Sequence, residues 1–303
     1  MSLNDKKIAI LMLCHTLPHQ INDFIGLFDP NCFDFHLHVD KKSKIQPSIR
    51  KGNNIFLVPD DRRIDVRWGR FSQVEATLLL INQALHTALY DYFWLCSEQD
   101  FPIKSVSEIK EFFRQKDCNF VSLYSSRNNP IDGVANTKRD KRCEVVYPSW
   151  MIGKGYWQRG IKRLYNLLTG GVGYTFSAIR RNLPDGLKAF YGSQWWCLNQ
   201  TTIKWISTYI EEHSEILNFY STTVVPDESF FQTLVMNSPY SNNVSRNLVY
   251  MDWTEGKSSP KVLTELDYTT MVASEKLLAR KIDSTKFPDM YKKLLQTKEK
   301  NRR

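Results

Sequence analysis

Residues 7–40 read KIAILMLCHTLPHQINDFIGLFDPNCFDFHLHVD, and their pattern decides the fold class. Lys7 to Cys14 is a short, nearly continuous apolar run, as expected of a strand buried on both faces, and Phe33 to Val39 is a second strand. Between them, near Gln20 to Phe28, apolar residues recur at helical spacing. Strand, helix and strand in that order predict two parallel strands joined by a crossover helix.

The alternation continues outward. Asn54 to Val58 reads as a strand, Ser72 to Ala88 as a helix, Tyr92 to Cys96 as a strand, Ser105 to Phe113 as a helix and Asn119 to Leu123 as a strand. The expected fold is therefore α/β, with a mostly parallel central sheet and helices on both faces. Ligands of such sheets bind beyond the carboxyl ends of the strands, which places His38, Val39 and Asp40, and Ser97 through Asp100, at the expected cleft. From about Ser125 to Gly192 the periodicity fades through a glycine cluster at 170, 171 and 173, so loops and short helices are expected there. Gln194 to Leu198 is strand-like again, Thr201 to His213 is helical, and Thr264 with Asp267 suits the cap of a final helical region. No internal repeat or low-complexity linker divides the chain, and a single domain over residues 1–303 is expected.

The 303 residues, 42% of them hydrophobic, suffice for one large core. Lys and Arg outnumber Asp and Glu by 41 to 32, so the partners are expected to be anionic: phosphates, nucleotides, an acidic membrane surface or nucleic acid. The 13% aromatic content suits both core filling and stacking on flat or sugar-like ligands. Cysteines 14, 32, 96, 118, 143 and 197 form no CxxC pair for zinc or redox work, and they read as reduced residues of a cytoplasmic protein. The apolar runs fall far short of the ~20 residues that span a bilayer, so membrane contact is expected only at the periphery.

Several common chemistries are missing. Gly256-Lys257-Ser258 ends like a phosphate-binding loop, but Met251 stands where that loop needs its first glycine. There is no HExxH, no GxSxG and no Asp-x-Asp. Glu98-Gln99-Asp100 is the nearest substitute for a cation-binding Asp-x-Asp, with a plain loop cap as the other reading. In Pro226–Phe231, PDESFF, Asp227 suits a helix N-cap, Glu228 suits the positive end of the helix dipole, and Phe230, Phe231, Leu234 and Val235 carry the helix into a core.

Taken together, HVDKKS, VRWGRFSQVEATLLLINQAL, FWLCSEQDFPIKS, GSQWWCLNQ, PDESFFQTLV and LARKID resemble the family of core-2/I-branching β-1,6-N-acetylglucosaminyltransferases and peptide O-xylosyltransferases, in order from about Lys7 to Asp283. The resemblance implies a GT-A-type nucleotide-sugar-binding fold, a donor such as UDP-GlcNAc or UDP-xylose, and inversion at the anomeric carbon without an obligatory metal. It implies that Glu228 is the catalytic base, made more basic by burial against Phe230 and neighbouring Trp rings, with Asp227 left as a cap. Lys281 matches a lysine that contacts the donor phosphates. A second family cation, an arginine before the Tyr and Asp-Trp word, is replaced by Val249 in NLVYMDW, with Arg246 and Arg280 as candidates to compensate. Asp40 resembles the residue beside the nucleotide base or ribose, Trp68, Gly69 and Ser72 belong to the nucleotide-sugar wall, and Asp100 faces the donor sugar. For Trp68 a core role is an equal alternative. Trp195 and Trp196 alternate faces if on a strand, so one is core and the other is available to stack on an acceptor sugar.

The resulting expectation is a bacterial, cytoplasmic glycosyltransferase with a UDP-sugar donor and a glycan or lipid-linked glycan acceptor. It needs no cofactor, divalent cation or nucleic acid. Residues 1–125 form its nucleotide-sugar-binding half, 126–285 its acceptor and catalytic half, and 286–303 a basic C-terminal helix or tail that can rest on anionic lipid at the inner face of the membrane. Two rival readings are a single-stranded nucleic-acid surface and an inactive relative that binds a nucleotide sugar or glycan without turnover.

Overall fold

The computed structural model describes residues 5–131, 139–146, 155–170, 181–257 and 259–300. Glycines 171 and 173 of the expected cluster lie outside them. In chain order the elements are β1 (Ile8–Cys14), α1 (Pro18–Leu27), β2 (Phe33–Val39), β3 (Ile55–Leu57), α2 (Ser72–Thr87), β4 (Tyr92–Ser97), β5 (Phe101–Pro102), α3 (Val106–Gln115), β6 (Asn119–Leu123), α4 (Lys141–Glu144), α5 (Tyr156–Gly170), β7 (Gly192–Asn199), α6 (Gln200–Glu212), α7 (Glu215–Ser221), α8 (Phe230–Asn237), β8 (Val244–Ser245), β9 (Val249–Met251), α9 (Tyr268–Ala273), β10 (Leu278–Arg280) and α10 (Pro288–Lys300).

The expected α/β class is observed. Seven strands form one sheet in the order β3-β2-β1-β4-β7-β6-β8, and β7 runs antiparallel to both of its neighbours. β1 sits between β2 and β4, parallel to each, which is why its sequence is apolar on both faces. Adjacent residues of β2 show that both faces are covered: Phe35 meets Phe24 of α1 edge-on at 6.1 Å, while His36 turns the other way to Gln83 of α2 and the Tyr90 hydroxyl. Burial holds His36 and His38 down at about 4, so both are neutral packing residues.

A second, three-stranded sheet pairs β10 antiparallel to β5 and parallel to β9. These strands of two or three residues escape the sequence pattern because so short a run shows no periodicity. Ser105 and Glu108 close a capping box at the start of α3, and Thr264 with Asp267 form one ahead of α9, as expected. The six cysteines are free thiols. The basic C-terminal segment is a helix over 288–300 that buries Met290, Tyr291 and Leu294, with the Tyr291 hydroxyl donating to Asp23 at 2.7 Å. Among the described residues no helix is long and apolar enough to cross a membrane.

PDESFF departs from its expected form. Pro226–Glu228 is a separate 3-10 turn, and α8 starts only at Phe230. Ser229 breaks the helix at φ −142°, because its hydroxyl is drawn to the Phe190 carbonyl at 2.9 Å.

The β6–β7 pairing also depends on one glycine. A Cβ at Gly192 would lie 1.8 Å from the Ser122 carbonyl oxygen, beside the register shift between Val121 and Leu123. Gly192→Ala is expected to cost at least ~2 kcal/mol of stability, since a strand backbone rather than a flexible side chain must give way. Denaturant unfolding of the two proteins measures this, and equal midpoints would contradict it.

Candidate active site

Parallel strands end on the same edge, so the residues that follow β1, β2 and β4 gather there. Asp40 follows β2 and donates its backbone N–H to the Cys14 carbonyl at 2.8 Å. Glu98, buried after β4, accepts from His15 Nδ1 at 2.6 Å and from the Thr16 hydroxyl at 3.1 Å. That bond raises the His15 pKa above its usual value, against the opposing effect of burial. Gln20 of α1 donates to the carbonyls of Glu98 at 2.6 Å and Ile282 at 3.2 Å, and the Ile282 N–H donates to Gln99 at 2.8 Å. The loop after β4 and the segment after β10 are thereby one unit.

Asp100, the residue expected to face the donor sugar, is buried and engaged within the protein. Its Oδ2 accepts from the Ser97 N–H at 2.6 Å, the Ser97 hydroxyl at 3.1 Å and Arg280 Nη1 at 3.1 Å, while Oδ1 is enclosed without a partner. Full burial raises the proton affinity of this carboxyl, and the Arg280 charge opposes that effect. Arg280 also bonds the Ser97 hydroxyl and lies 4.2 Å over the Trp195 ring. Asp100 is the buried counter-ion that holds Arg280, its Oδ2 lying 3.1 Å from the guanidinium. Lys281, the next residue, is half-buried, and its carbonyl accepts from Leu263 at 2.9 Å. Asp40 is paired within its own loop: it accepts the Lys42 N–H at 2.9 Å and takes the Lys42 ammonium, which also bridges to Asp65.

The two tryptophans take opposite faces of β7. Trp196, 1% exposed, packs against Phe231 at 5.0 Å and is the core member expected of the pair, so it is not an acceptor platform. Trp195, 7% exposed, supports Arg280 and is covered by it rather than open for an acceptor ring. Arg246 is exposed and lies beside Lys276, while Val249 is buried.

The Trp-Gly word acts through the acidic turn. Trp68 is 48% exposed, which excludes the core alternative. Gly69 takes the left-handed φ of 71°, and its carbonyl accepts from the Val225 N–H at 2.9 Å, immediately before Pro226. Ser72 opens α2 and accepts from the Arg67 N–H at 2.9 Å. Phe71, between them, meets Phe230 at 6.2 Å.

Asp227 caps no helix. Its side chain is buried, Oδ1 has no partner, and burial followed by the adjacent Glu228 charge pushes its pKa up to about 7. Glu228 points outward, with a 29% exposed side chain, and its Oε2 accepts from Arg142 Nη1 at 2.7 Å. Phe230 does not wall Glu228 as expected, because it turns inward to Tyr220 and Phe231. Oε1 has no hydrogen-bond partner among the described residues. Close by, the Tyr124 hydroxyl is pushed up to about 12, chiefly by burial and then by the Glu228 charge. Arg142 was not foreseen, since it stands in the stretch with the weakest pattern. His15 was equally legible as Asp40, as it too follows a strand that ends at the cleft.

Asp227 binds a proton more strongly folded than unfolded, so its burial costs stability as pH rises from its ordinary 3.8 through about 7. Asp227→Asn is expected to change little at about pH 4 and to stabilise by on the order of a few kcal/mol above about pH 8. Melting temperatures across pH check this, and a constant offset between the two curves would show that Asp227 does not titrate as described.

Residues 21–275 match the family model described as Core-2/I-Branching enzyme. Human xylosyltransferase 1 is 24% identical over 266 residues, covering 84% of this chain and 24% of that protein. Rat xylosyltransferase 2 is 25% identical over 230 residues, covering 72% of this chain and 23% of that protein. The chain thus spans about a quarter of the length of the curated relatives it matches. Among solved structures, the galactosyltransferase LgtC in complex with donor and acceptor sugar analogues aligns over 96% of this chain and 95% of its own, with 10% identity and a TM-score of 0.37. Mouse xyloside xylosyltransferase 1 aligns over 90% of this chain and 96% of its own, with 9% identity and a TM-score of 0.36. With its strand-end cleft, its outward glutamate on the Pro-Asp-Glu turn and a family match over most of its length, this chain belongs to the core-2/I-branching enzyme family.

Proposed function

We propose that this protein transfers a sugar from a UDP-sugar, GlcNAc or xylose, to a hydroxyl of a glycan or lipid-linked glycan, with inversion and without a divalent cation. The observation that carries this reading is the placement of Glu228. It stands on a turn pinned by Gly69 and Ser229 and is oriented by Arg142, and the turn packs against β7, the strand whose Trp195 supports Arg280. In the reaction the acceptor hydroxyl gives its proton to Glu228 while its oxygen bonds to the anomeric carbon. The bond to the diphosphate breaks on the opposite face. Positive groups at the cleft edge, Lys281 and Arg280, joined by His15 when it is protonated, suit the charge that develops on the leaving diphosphate.

One observation favours the inactive-relative reading: Val249 brings no charge, and Arg280 is already paired with Asp100. A single variant separates the two. Glu228→Gln is expected to lower kcat by about 10³-fold while leaving the UDP-sugar affinity unchanged, as befits loss of a general base. Steady-state kinetics with a binding titration checks this. Undiminished turnover would remove Glu228 from the chemistry, and no turnover in the unaltered protein with any acceptor would favour the inactive relative.

The donor and metal questions have their own test. A matching UDP-sugar at about 100 times its Kd is expected to stabilise the protein by ~2.7 kcal/mol, and so raise its melting temperature, in EDTA. Stabilisation only after Mn²⁺ is added would overturn metal independence.

A further inference from the structure

The first turns of α5 leave an apolar face open. Tyr156 is 88% exposed, Trp157 83% and Leu164 56%, and with Gly160 and Ile161 they line one shallow concavity on the helix surface. Positions 157, 160, 161 and 164 are spaced by three and four residues, so they form one stripe along the helix. A Cβ built at Gly160 would meet nothing within 4 Å, so no other described residue packs over the middle of that stripe. Large apolar side chains grouped at a surface in this way mark a contact with something outside the chain.

The charge of the same helix says what the contact is. α5 carries Arg159, Lys162 and Arg163 and no Asp or Glu. Arg159 and Arg163 are exposed and four residues apart, which sets them in a row beside the stripe, and the Arg159 guanidinium lies 5.1 Å over the Tyr156 ring at its edge. Trp, Tyr and aliphatic residues on one side, with arginines along the margin, is the composition of a helix that lies in a membrane interface, where cations meet lipid phosphates and the apolar face enters the acyl boundary. A second copy of this chain fits less well, since pairing two such faces would bring the cations of both helices together with no carboxylate on either to offset them. With 15 residues, about 22 Å at the α-helical rise, the helix is too short to cross a bilayer. The basic C-terminal helix, expected to rest on lipid, differs: α10 turns Met290, Tyr291 and Leu294 into the core, so those apolar groups are already covered.

We propose that α5 docks this protein onto an anionic phospholipid surface, with Trp157, Ile161 and Leu164 entering the headgroup–acyl boundary and Arg159 and Arg163 against the phosphates. The inference does not rest on the transferase reading. Under that reading it holds the enzyme at the surface that carries a lipid-linked acceptor.

Co-sedimentation of the whole chain with vesicles measures this, and because no turnover is read, failure here leaves the transferase reading untouched. Vesicles of equal parts phosphatidylcholine and phosphatidylglycerol are expected to bind the protein at least about tenfold more tightly than vesicles of phosphatidylcholine alone, with a preference that shrinks as salt rises. Arg159→Glu with Arg163→Glu is expected to weaken binding to the anionic vesicles by at least about tenfold, and so is Trp157→Ser with Leu164→Ser. All four residues are exposed, so the variants are expected to fold, and unchanged circular dichroism spectra check that. Absent binding, equal binding to the two vesicle types, or binding that survives both variants unchanged would overturn the proposal. Binding lost instead in Lys292→Glu with Lys293→Glu would assign the contact to α10 and overturn it too. A chain that sediments as a dimer without lipid, and as a monomer in Trp157→Ser with Leu164→Ser, would give the stripe to a second copy.

Discussion

The Asp100–Arg280 pair is the constraint on which the site depends. Two opposite charges that are shut away from water must face each other, and removing either leaves the other uncompensated. Asp100 lies in the loop after β4 of the main sheet and Arg280 ends β10 of the small one, so their pairing fixes one sheet against the other. Gln20 repeats the same link with two neutral hydrogen bonds from α1. Trp195 extends it, because the guanidinium lies on its ring and that ring belongs to β7. Four separate stretches of chain are thereby brought to one edge, and that edge is the floor of the cleft.

The acidic turn follows a different logic. Adjacent carboxylates in an N-terminal helical turn would both be solvated and alike. Breaking the helix at Ser229 separates them: Asp227 is drawn into the core, where burial favours its proton, and Glu228 is left at the surface against a guanidinium. One residue of separation gives two carboxyls of the same ordinary strength different chemistry. The left-handed Val225, held by the Gly69 carbonyl, is what turns the chain to present them so.

Much of the architecture was legible because its signals are local. The parallel strands announce themselves as short apolar runs, α3 by its capping box and the cleft by the strand ends that meet there. Asp40 follows from a strand end by the same route, whereas Lys281 and Glu228 were singled out by the family resemblance. Other residues were misread through their partners. Asp100 was read as a ligand group because its arginine is 180 residues away, and Asp227 as a cap because nothing nearby reveals how deeply it is buried, while the choice of core tryptophan between 195 and 196 stayed open because the helix that covers Trp196 comes later in the chain. Arg142 had no local signal of any kind.

What the sequence determined by itself was therefore the order of the longer strands and helices and the α/β class, with Glu228 singled out by the family resemblance and its outward placement left to the fold. These follow from periodicity, from caps and from short words read along the chain. What only the tertiary structure decided was which charges are spoken for: Asp100 with Arg280, Glu98 with His15, and Asp40 with Lys42. The physical reason is that a charge's work is set by its burial and by the opposite charge nearest in space, and both depend on residues that folding brings together from far along the chain.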